Sequence, residues 1–159
     1  MSFEEKLKQA IERGQQRSRN LANEEKRRQL TDDEYRRKHT EFRLRISDEI
    51  ETVLKKVVDH LPGFRYETVF GDKGWGGAIY RDDVLIQNGK RNTFYSRLEI
   101  AVRPYSSIKV VELVSKGTVR NQEIFMRNFH EQIDLAELDS FLQSVDQWAL
   151  EYAEQFVTG

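Results

Sequence analysis

Phosphate binding is the first chemistry that this sequence suggests, because four glycines stand within seven residues of the stretch FGDKGWGGAIYRDD, residues 70–83. A phosphate loop works through consecutive backbone N–H groups that converge on an anion at the start of a helix. The Walker pattern needs Lys and then Ser or Thr after its last glycine, whereas Ala78 follows Gly77 here. The dinucleotide pattern GxGxxG fails at Ile79, and both flanks are typical of strands. Phosphate binding is therefore not predicted.

A β-turn explains the same glycines from their local positions. Asp72 and Lys73 suit the middle of a type I turn, and Gly74 supplies the positive φ of the bulge that follows it. Gly76 and Ala78 then share one face of the next strand. A strand face without bulky side chains allows a helix or a ligand to approach closely.

Other catalytic and metal-binding patterns are also missing from the sequence. The three histidines, His39, His60 and His130, are far apart and form no HExxH-type pattern, and there is no cysteine. Asp82 and Asp83 form a carboxylate pair of a kind that is common in a chain with this many acidic residues. We therefore predict that the protein is not an enzyme, with no catalytic residue, no cofactor and no metal site.

Composition and charge limit the possible partners. Charged residues make up 33% of the 159 residues, and no apolar run approaches the length of a membrane span. The N-terminus lacks the apolar core of a signal peptide, so we expect a cytoplasmic protein without membrane contact. The net charge is +2 for residues 1–62, +4 for residues 63–130 and −7 for residues 131–159. A basic surface for an anionic partner is possible, but an acidic helix with its charges in water explains this asymmetry more simply.

Residues 1–30 form a polar helical arm in this interpretation, and residues 31–159 form a single domain. The arm is rich in helix-forming residues, but Leu7, Ile11 and Leu21 are almost its only large apolar groups after Phe3. An isolated helix of this kind is marginal in water, so we expect a second subunit to cover it; contacts in a crystal are the alternative. The predicted homodimer interface consists of Leu7, Ile11, Leu21, Tyr35, His39 and Phe42.

The domain begins with an amphipathic helix that Thr31 is predicted to cap and that Pro62 and Gly63 end. Its apolar residues recur at spacings of three and four. They are Tyr35, His39, Phe42, Ile46, Ile50, Val53, Val57 and Leu61, with Leu54 and Val58 widening the stripe.

Strand patterns follow this helix, and their connections are too short for crossover helices. The predicted strands are residues 64–70, 75–81, 84–87, 94–103, 108–116 and 119–129, of which 84–87 is the weakest. Asp82 with Asp83, and Lys116 with Gly117, are predicted hairpin loops. A last helix is predicted from Leu135 to Phe156 with Asp134 as its cap, and Leu142 and Val145 belong to its apolar stripe. The predicted fold is α+β: an antiparallel meander of five to six strands with the C-terminal helix on its apolar face.

The water-exposed face of this sheet is the strongest candidate for a site. It is predicted to carry Arg65, Tyr95, Arg97 and Arg103, to which Arg120 and Arg127 are added. Cationic and aromatic side chains together suit single-stranded nucleic acid, although the RNP signature is missing and Glu67 and Glu99 fall on the same face.

Three functions therefore stay open, and protein binding is preferred. The first is a self-associating module, adaptor or chaperone-like, that binds another protein. The second is a binder of single-stranded nucleic acid. The third is a small apolar ligand held between the sheet and the C-terminal helix, with Trp75, Phe94, Phe125 and Trp148 around it.

Overall fold

The computed structural model describes residues 2–158, except for the side chains of residues 26–31. The order of elements is α1 (Phe3–His60), β1 (Arg65–Val69), β2 (Trp75–Gln87), β3 (Lys90–Val102), β4 (Val110–Val119), β5 (Gln122–Gln132) and α2 (Leu138–Thr158). All neighbouring strands pair antiparallel in the order β1-β2-β3-β4-β5. The predicted α+β meander is confirmed, with five strands.

The predicted arm and the predicted amphipathic helix are joined in one α-helix, so the predicted helix start at Thr31 was wrong. The capping side chain of Thr31 lies outside the described residues. Helix-forming residues stand on both sides of position 31, and a single threonine between them does not end a helix. The actual start is at Ser2, whose Oγ accepts a hydrogen bond from the Glu5 N–H. Gly63, with φ 92°, follows the end of α1 as predicted.

Residues 1–37 and residues 38–159 form two compact units. In the first unit every described side chain from Ser2 to Glu25 is exposed to solvent. The predicted boundary between residues 30 and 31 stays a prediction.

The second unit has its hydrophobic core between one sheet face and two helical segments, residues 38–60 of α1 and α2. Ile46, Ile50 and Leu54 of α1 are fully buried at a spacing of four residues. The core residues of α2 are Phe141, Val145, Trp148, Ala149, Tyr152 and Phe156. The hydroxyl of Tyr152 donates a hydrogen bond to the Thr118 carbonyl at 2.7 Å, which ties α2 to the sheet.

The start of α2 differs from the predicted one. Leu135 precedes the helix and is 69% exposed, so neither Leu135 nor the cap at Asp134 belongs to α2. Residues 132–136 form tight turns instead, in which the N–H of Leu135 bonds to the Gln132 carbonyl. The Glu131 carboxylate accepts a hydrogen bond from the Glu137 N–H, just before α2 begins.

Two hairpin loops also differ from the predictions. No loop forms at Asp82 and Asp83, because β2 continues through them to Gln87 and turns at Asn88 and Gly89. Lys116 and Gly117 lie inside β4, next to a bulge between Gly117 and Thr118. The β4–β5 turn is at Arg120 and Asn121, and both turns have positive φ at both positions, as two-residue hairpins of type I′ require.

The far part of the β2–β3 hairpin, residues 84–93, is a two-stranded ribbon. Pairing of β3 with β4 begins only at Arg97. On the ribbon side of Arg97, β3 is joined to the β4–β5 turn through Asn121. The backbone N–H of Asn121 donates to the Tyr95 carbonyl, and its side-chain amide donates to the Thr93 carbonyl. Val84, Leu85 and Ile86 of the ribbon are exposed.

Candidate binding surface on the open face of the sheet

The two faces of the sheet are assigned by strand register. Gly77, Ile100 and Ser115 stand opposite one another and point toward the helices. The alternate residues point away from the helices and form the open face. One row across it joins Glu67, Ala78, Glu99, Lys116 and Met126, and the next joins Val69, Gly76, Ala101, Val114 and Asn128.

The floor of the open face is made of small and apolar residues. Ala78 and Ala101 are buried, at 0% and 4% exposure, although within the second unit the helical segments 38–60 and 138–158 pack on the other face of the sheet. A concavity of about 650 Å³ lies over this floor. Its lining consists of Val69, Asp72, Lys73, Glu99, Ala101, Arg103, Val114, Ser115, Lys116, Met126, Arg127 and Asn128. Met126 is 70% exposed, so an apolar side chain stands at the edge of the concavity.

The glycines of residues 71–77 shape the start of β2 beside this floor. Gly74 has φ 134°, and its N–H bonds to the Gly71 carbonyl, so the predicted turn is confirmed. A Cβ at Gly76 would lie 2.0 Å from the Ile100 carbonyl oxygen, and a Cβ at Gly77 would lie 2.7 Å from the Tyr66 ring. The glycines therefore allow close packing within a hairpin, and the strand–loop–helix context of a phosphate loop is not present in residues 70–83.

The charges around the floor are largely paired. Arg97 bonds to Glu67 at 2.5 Å and lies 3.8 Å from Glu99. Burial lowers the pKa of Arg97, but its hydrogen bonds to Glu67 and Tyr95 raise it, and the net shift is upward. Arg103 bonds to Glu112 at 3.0 Å. The open face is therefore a surface of mixed charge in which these two arginines already have carboxylate partners.

Four of the six residues predicted for this face are in place: Arg65, Tyr95, Arg97 and Arg103. Arg65 is exposed on β1 and Tyr95 is 37% exposed on β3. Arg97 and Arg103 occupy alternate positions on the same side of β3 and its continuation.

Arg120 and Arg127 make their side-chain contacts on the helix side instead, although Arg127 also lines the edge of the concavity. Arg120 donates to the Phe156 carbonyl at 3.1 Å, and its guanidinium lies 4.6 Å from the centre of the Phe156 ring. Arg127 forms an ion pair with Glu151 of α2. The turn at Arg120 and the bulge at Gly117/Thr118 set these orientations, and neither follows from alternation in the sequence.

The predicted dimer interface divides between the two units. Leu7, Ile11 and Leu21 are 47%, 52% and 57% exposed in the first unit, and Tyr35 of the same unit is half-buried. His39 and Phe42 belong to the second unit. His39 is only 3% exposed, and the Phe42 ring packs 6.1 Å from that of Phe141. The structure therefore removes His39 from the surface that a second subunit could contact.

The four aromatic residues suggested for a ligand cavity do not come together. Trp75 and Phe94 stand at positions eight residues apart on the β2–β3 ladder, about 27 Å at 3.4 Å per residue. Phe125 and Trp148 are both buried, and the Phe125 ring packs edge-on against Tyr152. The four rings therefore do not line one cavity.

The surroundings of His39 favour its neutral form. Its Nε2 lies 3.2 Å from the Arg103 carbonyl oxygen, and because a carbonyl only accepts, Nε2 carries the proton. The Tyr105 ring packs edge-on against it at 5.7 Å. Burial lowers the pKa of His39, and the nearby Arg43 charge lowers it further, against the opposing effect of the bond to Arg103.

We expect this histidine to make the unfolding free energy fall as the pH drops below about 6.5, the ordinary histidine value. Between that value and the lower folded pKa, the unfolded chain binds a proton that the folded chain does not, so acid favours unfolding. Urea denaturation at a series of pH values between 7 and 5 tests this against His39→Gln, which keeps an N–H donor. The matched control is His130→Gln, which changes an exposed histidine on β5. Equal pH dependence in the wild type and His39→Gln would contradict the assignment.

No protein-family model, curated protein sequence or solved structure matches this chain. Among residues 2–158, leaving aside the side chains of 26–31, no group of three or more His, Asp or Glu is arranged to hold a metal ion. None of the described helical segments is long and apolar enough to cross a membrane. The proposed function therefore rests on the geometry of the surface.

Sequence patterns missed Ala101, Val114 and Met126 as members of the candidate site. Alternation placed the strand face correctly, but small and apolar residues on an exposed face carry no charge or motif that would draw attention to them. The available signal was the pair of small residues Gly76 and Ala78, which were predicted to share one face of β2.

Proposed function

We propose that this chain is a non-enzymatic protein-binding module that receives a partner segment on the open face of its sheet. The observation that carries the proposal is the apolar floor of Ala78, Ala101 and Val114 beneath a rim of charges of both signs. Small floor residues let a partner backbone come close, and Met126 adds an exposed apolar contact beside them. An apolar centre inside a polar rim is the usual arrangement of a protein interface.

The charge arrangement favours a protein partner over a nucleic acid. Binding to a phosphate backbone draws its affinity from cations that exchange counterions for phosphates. Arg97 and Arg103 already have carboxylate partners, and Arg120 and Arg127 face the helices. Asp72 and Glu99 also line the concavity and would repel phosphates. A polypeptide that carries charges of both signs suits this rim better.

Site-specific photo-crosslinking tests the open face directly. A benzophenone amino acid at Met126 is expected to capture a discrete polypeptide in cells, whereas the same group at Val157 is not. Both positions are about equally exposed, at 70% and 69%, but Val157 lies on α2 at the helix side. Lys116→Glu in the Met126 crosslinking protein is expected to lower the yield, because Lys116 lines the same concavity. Identical products from positions 126 and 157 would contradict the proposal.

A fluorescence titration with mixed single-stranded oligonucleotides tests the rival function, which is binding of single-stranded nucleic acid. We expect no binding at low or moderate salt. Micromolar affinity that falls steeply as salt rises would favour nucleic acid instead, because that slope reports released counterions.

Self-association through the N-terminal helix is the second part of the proposal. Phe3, Leu7 and Ile11 recur every four residues along a helix whose described side chains are all exposed from Ser2 to Glu25. Such a helix gains little from its own side chains in water, and a partner surface would stabilise it. Two-fold symmetry is the commonest closed arrangement, so we propose a homodimer.

Sedimentation equilibrium tests the homodimer. The wild type is expected to be dimeric at tens of micromolar, and the variant with Leu7→Glu and Ile11→Glu is expected to be monomeric. The control is Leu85→Glu, which changes a similarly exposed apolar residue on the ribbon, at 45%, and should leave the dimer intact. A monomeric wild type would contradict self-association.

A further inference from the structure

A second apolar surface lies between α1 and α2, on the opposite side of the protein domain from the open face. We call it the helix groove, and it has a volume of about 420 Å³. Its lining consists of Glu49, Val53, Lys56, Val57, His60 and Leu61 on one side and Asp146, Ala149, Leu150 and Ala153 on the other. Leu150 is 71% exposed, so the groove presents apolar surface to solvent.

The two ends of the helix groove differ in charge. Glu49 and Asp146 meet at one end, where burial raises the pKa of Glu49 and its hydrogen bond and charge interaction with Asp146 raise it further, against the opposing effect of the Lys56 charge. A cation at this end would relieve the repulsion between the two carboxylates. Lys56 and His60 lie about two turns along α1, at the other end. An occupant that complements the groove therefore has an apolar centre, a cation toward Glu49 and an anion toward Lys56.

The N-terminal helix of this chain has these features in this order. Phe3, Leu7 and Ile11 form one exposed apolar stripe. At 3.6 residues per turn, Glu4 lies about 20° from Ile11 at one edge of the stripe, and Arg13 lies about 80° beyond Phe3 at the other edge. The stripe spans nine residues, a rise of about 12 Å, and the groove from Glu49 to Leu61 spans about 18 Å along α1, so the stripe fits within it.

We infer that the N-terminal helix of a second copy of this chain docks in the helix groove, antiparallel to α1. Phe3, Leu7 and Ile11 lie against the apolar wall that includes Val53, Val57 and Leu150. Glu4 faces Lys56 and His60, and Arg13 faces Glu49 and Asp146. When each copy inserts its helix into the other, the exchange is reciprocal and the assembly closes as a two-fold dimer. The inference rests on the proposed self-association and names the surface that receives the helix.

Complementation between two variants tests the exchange. Leu150→Asp disables the groove, and Leu7→Glu with Ile11→Glu disables the inserted helix; all three residues are exposed, so the fold should persist. Each variant alone is expected to dimerise at least about tenfold more weakly than the wild type, a change of about 1.4 kcal/mol. An equimolar mixture is expected to regain a one-to-one dimer, because one intact helix meets one intact groove.

Charge reversal supplies a second measurement on the same contact. Arg13→Glu is expected to weaken the dimer, and Asp146→Lys in the same chain is expected to restore it. Val157→Asp, on α2 outside the groove lining, is the control and should leave the dimer unchanged.

The outcomes separate this inference from the self-association on which it rests. If Leu150→Asp dimerises as the wild type does while the Leu7 and Ile11 variant does not, self-association stands and the groove is overturned as its receptor. A mixture that stays monomeric also overturns the exchange. A monomeric wild type overturns both.

Discussion

Phe141→Ala is expected to lower the free energy of unfolding by about 3–5 kcal/mol, the range for truncating a buried phenylalanine. Phe141 is fully buried in α2, and its ring packs 5.0 Å from that of Phe129 and 6.1 Å from that of Phe42. One side chain thus joins β5, α1 and α2, and its removal leaves a cavity that none of these elements can fill alone. Urea denaturation measures the loss.

Val157→Ala is the matched control for this measurement, because Val157 lies on the same helix outside the helix groove and is 69% exposed. Its expected effect is within about 0.5 kcal/mol, as for surface substitutions in general. Val145→Ala should lie between the two, since Val145 is fully buried but smaller than phenylalanine. A cost at Phe141 no larger than that at Val157 would mean that the core face of α2 is assigned wrongly.

Gly76→Ala is expected to destabilise the fold by about 3 kcal/mol or more, at or above the upper end of the usual cost of overpacking. The added Cβ would lie 2.0 Å from the Ile100 carbonyl oxygen and 2.7 Å from the Ala101 Cα. Both atoms belong to the backbone of β3, so relief requires the two central strands to separate at this point. The midpoint of thermal or urea unfolding reports the effect.

Gly77→Ala is the comparison, since it makes the same chemical change one residue along β2. There the nearest atoms belong to the outer part of the Tyr66 ring, at 2.7 Å, and a side chain can rotate away. The loss should be clearly smaller than at Gly76. Equal losses at the two glycines would contradict the backbone contact.

The fold class was predictable because local patterns and connection lengths agree. The apolar spacing from His39 to Leu61 indicated a helix with one buried side, and Ile46, Ile50 and Leu54 are indeed fully buried. Short connections between β-rich segments implied antiparallel neighbours, and all four strand pairs are antiparallel. The helix break at Thr31 was wrong because a capping residue permits a helix to start but does not require it.

The turns and their consequences for side-chain orientation were less predictable. Asn88 and Gly89 are a strong turn signal. Asp82 and Asp83 suggested an earlier turn because aspartate is depleted in strands, yet β2 continues through the pair. Arg120 occupies positive φ, which arginine rarely adopts, so the β4–β5 turn carried no ordinary residue signature. The bulge beside Gly117 then set the orientation of the residues in β5, including Arg127.

The sequence predicted where the candidate surface lies, but not that Arg97 and Arg103 are paired with carboxylates. Alternation along β3 placed Tyr95, Arg97 and Arg103 on the open side, and the structure agrees. Whether those cations are available depends on cross-strand neighbours such as Glu67, which stands thirty residues earlier in the chain. Alternation along the strands places Glu67 and Arg97 on the same face of the sheet. Only the strand register shows that the two side chains are close enough to bond.

The ribbon of residues 84–93 has a consequence for how the fold opens. Its backbone hydrogen bonds join only β2 and β3, and Asn121 fastens β3 to the rest of the sheet at Thr93 and Tyr95. Opening the ribbon therefore costs no burial in the hydrophobic core, whereas opening the ladder at Leu98 or Ile100 does. Amide protons from Val84 to Arg91 should exchange with solvent through local opening, and those of the central strands only through global unfolding. Asn121 thus marks the boundary between two regimes of amide exchange within one continuous hairpin.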